Sequence, residues 1–200
     1  MKKTADQKIV SLLEKLSQVL RVLLWNTAKE TGLSPIQTQF LLYLNSHPPL
    51  QCKTSNLARE FNLTQATVSD ALGSLAEKKF IYKEESKKDR RTSSLILTTA
   101  GKWMAKKLVH WPDAIKKSLG CLSEGGKSQA MTFMMDIIKH MQSGGVIQSA
   151  RMCLLCNHFL KDVRPAAKKP HYCKLTKTPL GITDLNIDCA MHDGTTKEIL

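Results

Sequence analysis

Apolar residues in the first part of the chain recur at helical spacing. Ile9, Leu12, Leu13, Leu16, Val19, Leu20, Leu23 and Leu24 form a wide stripe, which predicts one long helix ending near Gly32. The stripe is wider than packing within one small domain needs, so part of it is expected to face a second subunit. Ser34-Pro35 opens another helix, with proline at the first position, where its missing N–H costs nothing. It runs to Ser46 and stops at His47-Pro48-Pro49. A short helix opened by Thr54 or Ser55 carries Leu57, Ala58 and Phe61 on one face and ends at Asn62, a residue that tolerates the left-handed conformation. Thr64 caps a helix over 64–78, whose Ala66, Val68, Ala71, Leu72 and Leu75 recur at i, i+3 and i+4. Its other face is polar and small: Gln65, Thr67, Ser69, Asp70 and Ser74. FIYKEE and TSSLILT then read as two strands flanking SKKDRR. Thr99 starts a helix through Trp103, Met104, Lys106, Lys107 and Leu108, interrupted near Trp111-Pro112 and resuming toward Leu119. After SEGGKS, read as a flexible segment, Met131, Phe133, Met134, Ile137, Ile138 and Met141 mark a last amphipathic helix. Such a stripe more often packs a core than lines a ligand pocket. The first and last helices are the expected dimer core.

Two short helices joined by about four residues have the geometry of a helix-turn-helix, whose second helix enters the major groove. The hairpin behind it has a cationic tip, which completes a winged helix. The expected fold class is therefore mainly α with a small β wing. Charge supports a nucleic-acid partner. The net charge is +13, and residues 51–120 hold fourteen basic groups against seven acidic ones. A basic surface coinciding with a reading helix favours polyanions. No apolar run approaches the ~18 residues that suggest a membrane span. Glu14, Lys15 and Arg21 interrupt the N-terminal stripe, so no signal peptide is read there and a cytoplasmic location is expected.

The segments LSPIQTQFLLYLNSHPP, LAREFNLTQATVSDALGSLAEKKFI and KKDRRTSSLILTTAGK resemble, in register and order, the MarR family of bacterial transcription regulators. The resemblance covers about residues 5–142 and implies a homodimer on a pseudo-palindromic, double-stranded operator. It implies that Thr54, Ser55, Thr64, Gln65, Thr67, Ser69 and Ser74 face DNA, with Lys87, Lys88, Asp89, Arg90 and Arg91 at the wing. Asp89 would orient Arg91 toward the minor groove. There are two departures. Asp70 stands where a basic or neutral residue is usual, and Lys79 stands at a helix-ending glycine position, where a side chain in the left-handed region costs about 1 kcal/mol.

The chain changes character after Ser143-Gly144-Gly145, which divides it into an expected winged-helix and dimerisation domain, 1–142, and a cysteine-rich tail, 146–200. So short a tail usually needs a staple. Cys153, Cys156, Cys173 and Cys189 follow C-x2-C-x16-C-x15-C, a spacing in which a C-x2-C turn offers two thiolates and later cysteines close the shell of a metal site. Zinc remains open, with His192 as an alternate ligand. An iron–sulfur cluster, which takes four thiolates at dispersed spacing, is slightly favoured as [4Fe-4S]. The tail also resembles small cluster-binding modules such as the minor subunits of arylsuccinate synthases, through Cys153, Cys156, Phe159, Tyr172, Cys173 and Cys189. His158 and His171 are expected to support ligands rather than to be ligands, and Cys52 and Cys121 to be inert.

The leading expectation is a homodimeric DNA-binding regulator, most simply a repressor, whose four-cysteine metal site senses redox or iron status. The alternative keeps the regulator, gives it a small-molecule ligand and makes the tail a structural zinc module. A remote third reading is a CxxC thiol oxidoreductase. It lacks the βαβ setting such enzymes use, so no enzymatic activity is expected.

Overall fold

The computed structural model describes residues 4–85 and 93–194. Helix α1 spans Ala5–Thr31, opened by a capping box in which Thr4 and Gln7 exchange side-chain and backbone hydrogen bonds. Gly32 closes it at φ +66°. Helix α2, Pro35–Ser46, repeats the device with Ser34 and Gln37. That box explains why the Gln37 side chain is buried yet satisfied. Helices α3 (Thr54–Glu60) and α4 (Gln65–Glu77) follow, then an antiparallel hairpin of β1 (Ile81–Glu85) and β2 (Ser93–Leu97). Helices α5 (Thr99–Leu108), α6 (Asp113–Leu119) and α7 (Glu124–Ser143) complete the helical part. Three short strands, β3 (Phe159–Leu160), β4 (His171–Cys173) and β5 (Thr178–Leu180), form an antiparallel sheet in the tail.

The chain divides into two compact units. One takes in Thr54 and the chain before it together with Gln65–Ser118, and the other takes Ser55–Thr64 and the chain from Leu119 onward. In the first, α2 is the centre, packing on α1, α4, α5 and β2. Phe40, Leu41, Val68, Leu72, Leu75, Leu95 and Leu108 are among its fully enclosed side chains. Thr98 ties the hairpin to α5: its hydroxyl donates to the Lys79 carbonyl at 2.7 Å and accepts the Gly101 N–H at 3.0 Å. Only Leu24 and Ala28 of α1 are buried. Leu12, Leu13, Leu16, Val19 and Leu20 stand exposed, so most of the apolar stripe is uncovered within one chain.

Two non-glycine residues end helices in the left-handed region, Asn62 at φ 51° and Lys79 at φ 60°. Both stops were legible in sequence. The Lys79 and Phe80 amides close α4 by donating to Ala76 and Leu75 carbonyls. Lys79→Gly relieves a conformation that L side chains resist, and is expected to stabilise the fold by up to about 1 kcal/mol. Thermal melting of the variant beside the parent checks this, and a lower midpoint would contradict it.

The second unit corrects one expectation. SEGGKS is not a flexible spacer but the first turn of α7. Ser123 accepts the Gly126 N–H at 3.1 Å, and Glu124 sits where the helix dipole favours an acid. A cap and a first-turn acid outweigh two glycines. The buried stripe also lies on a different line of the helix. Met135 is enclosed, with Met131 and Ile138 beside it, while Phe133, Met134 and Met141 are exposed. Met135 packs with Ala150, Met152, Cys153 and Leu185, so the partner of α7 is the cysteine-rich tail. Ser143 ends the helix without ending the unit.

Candidate DNA-reading surface and four-thiol cavity

Helix α4 buries Val68, Leu72 and Leu75 and leaves Gln65, Thr67, Ser69 and Asp70 exposed, with Ser74 half-buried. The 3.6-residue period does this: burying one side of a short helix turns the other outward. Ala66, expected on the apolar side, is exposed beside Gln65 and Thr67. It adds a methyl group to the outward face, suited to van der Waals contact with a thymine methyl. Thr64 and Ser55 are exposed and Thr54 is half-buried. Lys78 folds back, its Nζ donating to the Gly32 carbonyl at 2.6 Å, which holds the end of α4 to the end of α1. The hairpin register runs from Ile81 opposite Leu97 to Glu85 opposite Ser93. Lys87, Lys88, Asp89, Arg90 and Arg91 lie outside the described residues.

In the tail, all four cysteines line one cavity of ≈ 350 Å³. Cys153 opens a 3-10 turn, Cys153–Leu155, and Cys156 follows it, its N–H donating to the Cys153 carbonyl at 3.0 Å. Cys173 ends β4, where it pairs with Phe159 of β3. Cys189 comes from the closing segment, held by its N–H to the Arg151 carbonyl at 2.9 Å. The same two segments are crossed by the Cys153 N–H on Asn186 O at 2.9 Å and by the Arg151 guanidinium on Asp188 at 3.0 Å. Phe159, Leu175, Leu180 and Met191 supply apolar walls. None of the six cysteines is disulfide-bonded.

The thiols differ in environment. Burial pushes the Cys153 thiol up, against an Asn186 N–H that donates to its sulfur at 3.3 Å; the other three cysteines push it up further. At Cys173 burial also pushes upward, but hydrogen bonds from Thr176 and from the Leu175 amide outweigh it and hold the thiol below its ordinary value. His192 is not among the residues lining the cavity, whereas His158 is. Burial lowers the His192 pKa, and its Nε2 has no hydrogen-bond partner among the described residues. Asn186 and Thr176 are the residues that sequence reading missed. Neither lies in the cysteine pattern, and only the fold brings their donors to sulfur. Cys52 is buried in the first unit, its thiol donating to the His47 carbonyl, and Cys121 is exposed.

Residues 31–92 match the model of the MarR family. Among solved structures, a DNA complex of MepR from Staphylococcus aureus is 22% identical, with a TM-score of 0.59, covering 70% of this chain and 99% of that one. MepR in its DNA-binding conformation is 23% identical at TM-score 0.61, covering 67% and 98%. A MarR protein from Peptoclostridium difficile is 19% identical at TM-score 0.61, covering 70% and 92%. These likenesses establish the fold, mostly helical with a small antiparallel wing. No curated protein matches the chain. No helix among the described residues is long and apolar enough to cross a membrane.

Proposed function

We propose, from the match of residues 31–92 to the model of the MarR family, that the chain is a sequence-specific transcription regulator, with no enzymatic role, whose DNA affinity is set by a metal centre in its tail. The observation that carries the DNA reading is the outward face of α4, where Gln65, Thr67 and Ser69 stand exposed above a buried Val68–Leu72–Leu75 spine. Small polar side chains approach base edges in the major groove closely enough to distinguish them. The net charge of +13 supplies the sequence-independent attraction to phosphate. The protein acts in the cytoplasm as a repressor, by occupying double-stranded operator DNA.

The exposed stripe on α1 supports a homodimer. Leu12, Leu16, Val19 and Leu20 form an apolar face that one chain leaves in water. Two copies on a two-fold axis would bury it and present two reading helices to a pseudo-palindromic site. Leu16→Glu is expected to turn a dimer into monomers in sedimentation equilibrium, and an unchanged dimer would remove α1 from the interface.

Coupling of tail to reading head is supported by one contact within the second unit. The Ser149 hydroxyl, just before the cysteine turn, donates to the Glu60 carboxylate at 3.2 Å, at the last residue of α3. Five residues later the chain begins α4. Metal loss that loosens the tail therefore acts on the helix leading into the recognition helix. The CxxC lies on a 3-10 turn ahead of short antiparallel strands, unlike the helix N-terminus of a thiol oxidoreductase.

The test is selection from a randomised duplex library, then affinity measurements on selected and shuffled duplexes. Gln65→Ala and Thr67→Ala are expected to relax preference at particular base pairs by about 1–3 kcal/mol each. Arg91→Ala is expected to weaken binding to every sequence and to flatten the salt slope. Identical behaviour of both classes on both duplexes would misplace the recognition helix.

A further inference from the structure

We propose that the four-thiol cavity is the seat of a cubane [4Fe-4S] cluster and not of a single zinc ion; this rests on the reading of the tail as a metal centre. A zinc ion bound by sulfur at ≈ 2.3 Å draws its tetrahedral ligands to sulfur–sulfur separations of about 3.8 Å. Here Cys153, Cys156, Cys173 and Cys189 line one cavity, yet among the described residues no three His, Cys, Asp or Glu side chains converge tightly enough to hold one ion. At ≈ 350 Å³ the cavity has space for about a dozen waters, far more than one ion fills. Each of a cubane's four iron corners takes one thiolate, which matches four dispersed cysteines on one cavity.

The walls fit the same occupant. Phe159, Leu175, Leu180 and Met191 restrict water at a site where solvent exposure governs cluster potential and lifetime. A donor to sulfur is already in place, the Asn186 amide at Cys153 at 3.3 Å. Amide donors of this kind offset the negative charge of a cluster carried on four thiolates. The backbone that holds two of the ligands is also fixed from both sides, by Cys153 N–H on Asn186 O and Cys189 N–H on Arg151 O.

The experiment is iron, zinc and acid-labile sulfide analysis of the full chain purified without oxygen, with its absorption spectrum. It is followed by reconstitution of the stripped chain with ferrous iron and sulfide, or with Zn(II) alone. About four irons and four sulfides per chain with absorption near ~400 nm is the expected result. Cys173→Ser is expected to lose that absorption while Cys121→Ser keeps it. One zinc per chain with no sulfide overturns the cluster but leaves a metal centre standing, and two irons with two sulfides overturns the cubane. A chain that takes up neither metal overturns the cluster and the metal-centre reading together. Duplex binding, measured separately, reports on the DNA reading in every case.

Discussion

Gly101→Ala is expected to destabilise the winged-helix unit by about 3 kcal/mol or more, at the upper end of what overpacking costs. Gly101 lies in α5 directly against the start of the wing. A Cβ added there falls on the Phe80 carbonyl oxygen, well inside contact distance, and meets the Leu97 side chain at 3.2 Å. The obstacle is backbone, and that backbone is committed: the Phe80 carbonyl accepts the Thr98 N–H at 3.0 Å, and Thr98 caps α5 by accepting the Gly101 N–H. Moving Phe80 away breaks the tie between hairpin and helix, and moving α5 opens its contact with α2. Neither relaxation is cheap in a close-packed core. Thermal or urea unfolding of Gly101→Ala beside the parent measures the loss. A variant within about 0.5 kcal/mol of the parent would mean that the Phe80–Thr98–Gly101 junction is not as rigid as its hydrogen bonds indicate.

Cys153→Ser is expected to abolish metal uptake and to loosen the tail. Changing only the hydrogen-bond partners of metal ligands typically costs about 10–100-fold in metal affinity, so deleting a ligand costs more than that. Cys153 is also the most enclosed of the four cysteines and part of the small core with Met135, Met152 and Leu185. A serine hydroxyl there trades a soft apolar sulfur for a polar group among methionines and leucine. Both losses fall on the same unit, while Phe40, Leu75 and Leu108 in the other are untouched. Metal analysis and hydrogen exchange separate the effects: protection is lost in α7 and β3–β5 and kept in α2 and α4. Full metal content in the variant would take Cys153 out of the ligand set.

The winged-helix part was readable because its signals are local. Ser34-Pro35 and Asn62 mark a helix start and a helix stop by their own backbone chemistry, and the two strand-like runs flanking SKKDRR set the hairpin. The observed α4 differs from the expected span by one residue at each end. The second unit was harder because its partners are irregular. A helix period says that α7 has an apolar side but not which line of it meets the tail, and the tail has no period of its own to answer with. Hence Met135 went unnoticed beside Met134, and two glycines concealed the start of the helix. The four cysteines were visible as a set from their spacing. Their arrangement about a cavity, and the Asn186 donor to Cys153 across 33 residues of chain, depend on contacts between distant segments, which spacing alone does not encode.

The central claim, that tail metal sets DNA affinity, is tested most directly by one comparison. The full-length protein is titrated with a library-selected duplex, once metal-loaded and once after chelation, with circular dichroism confirming that the helices persist. A coupling of about 1–3 kcal/mol, usual for allostery, predicts a 5- to 150-fold change in affinity. Equal affinity in the two states, with the winged helix folded in both, would contradict the account and leave the tail a structural module.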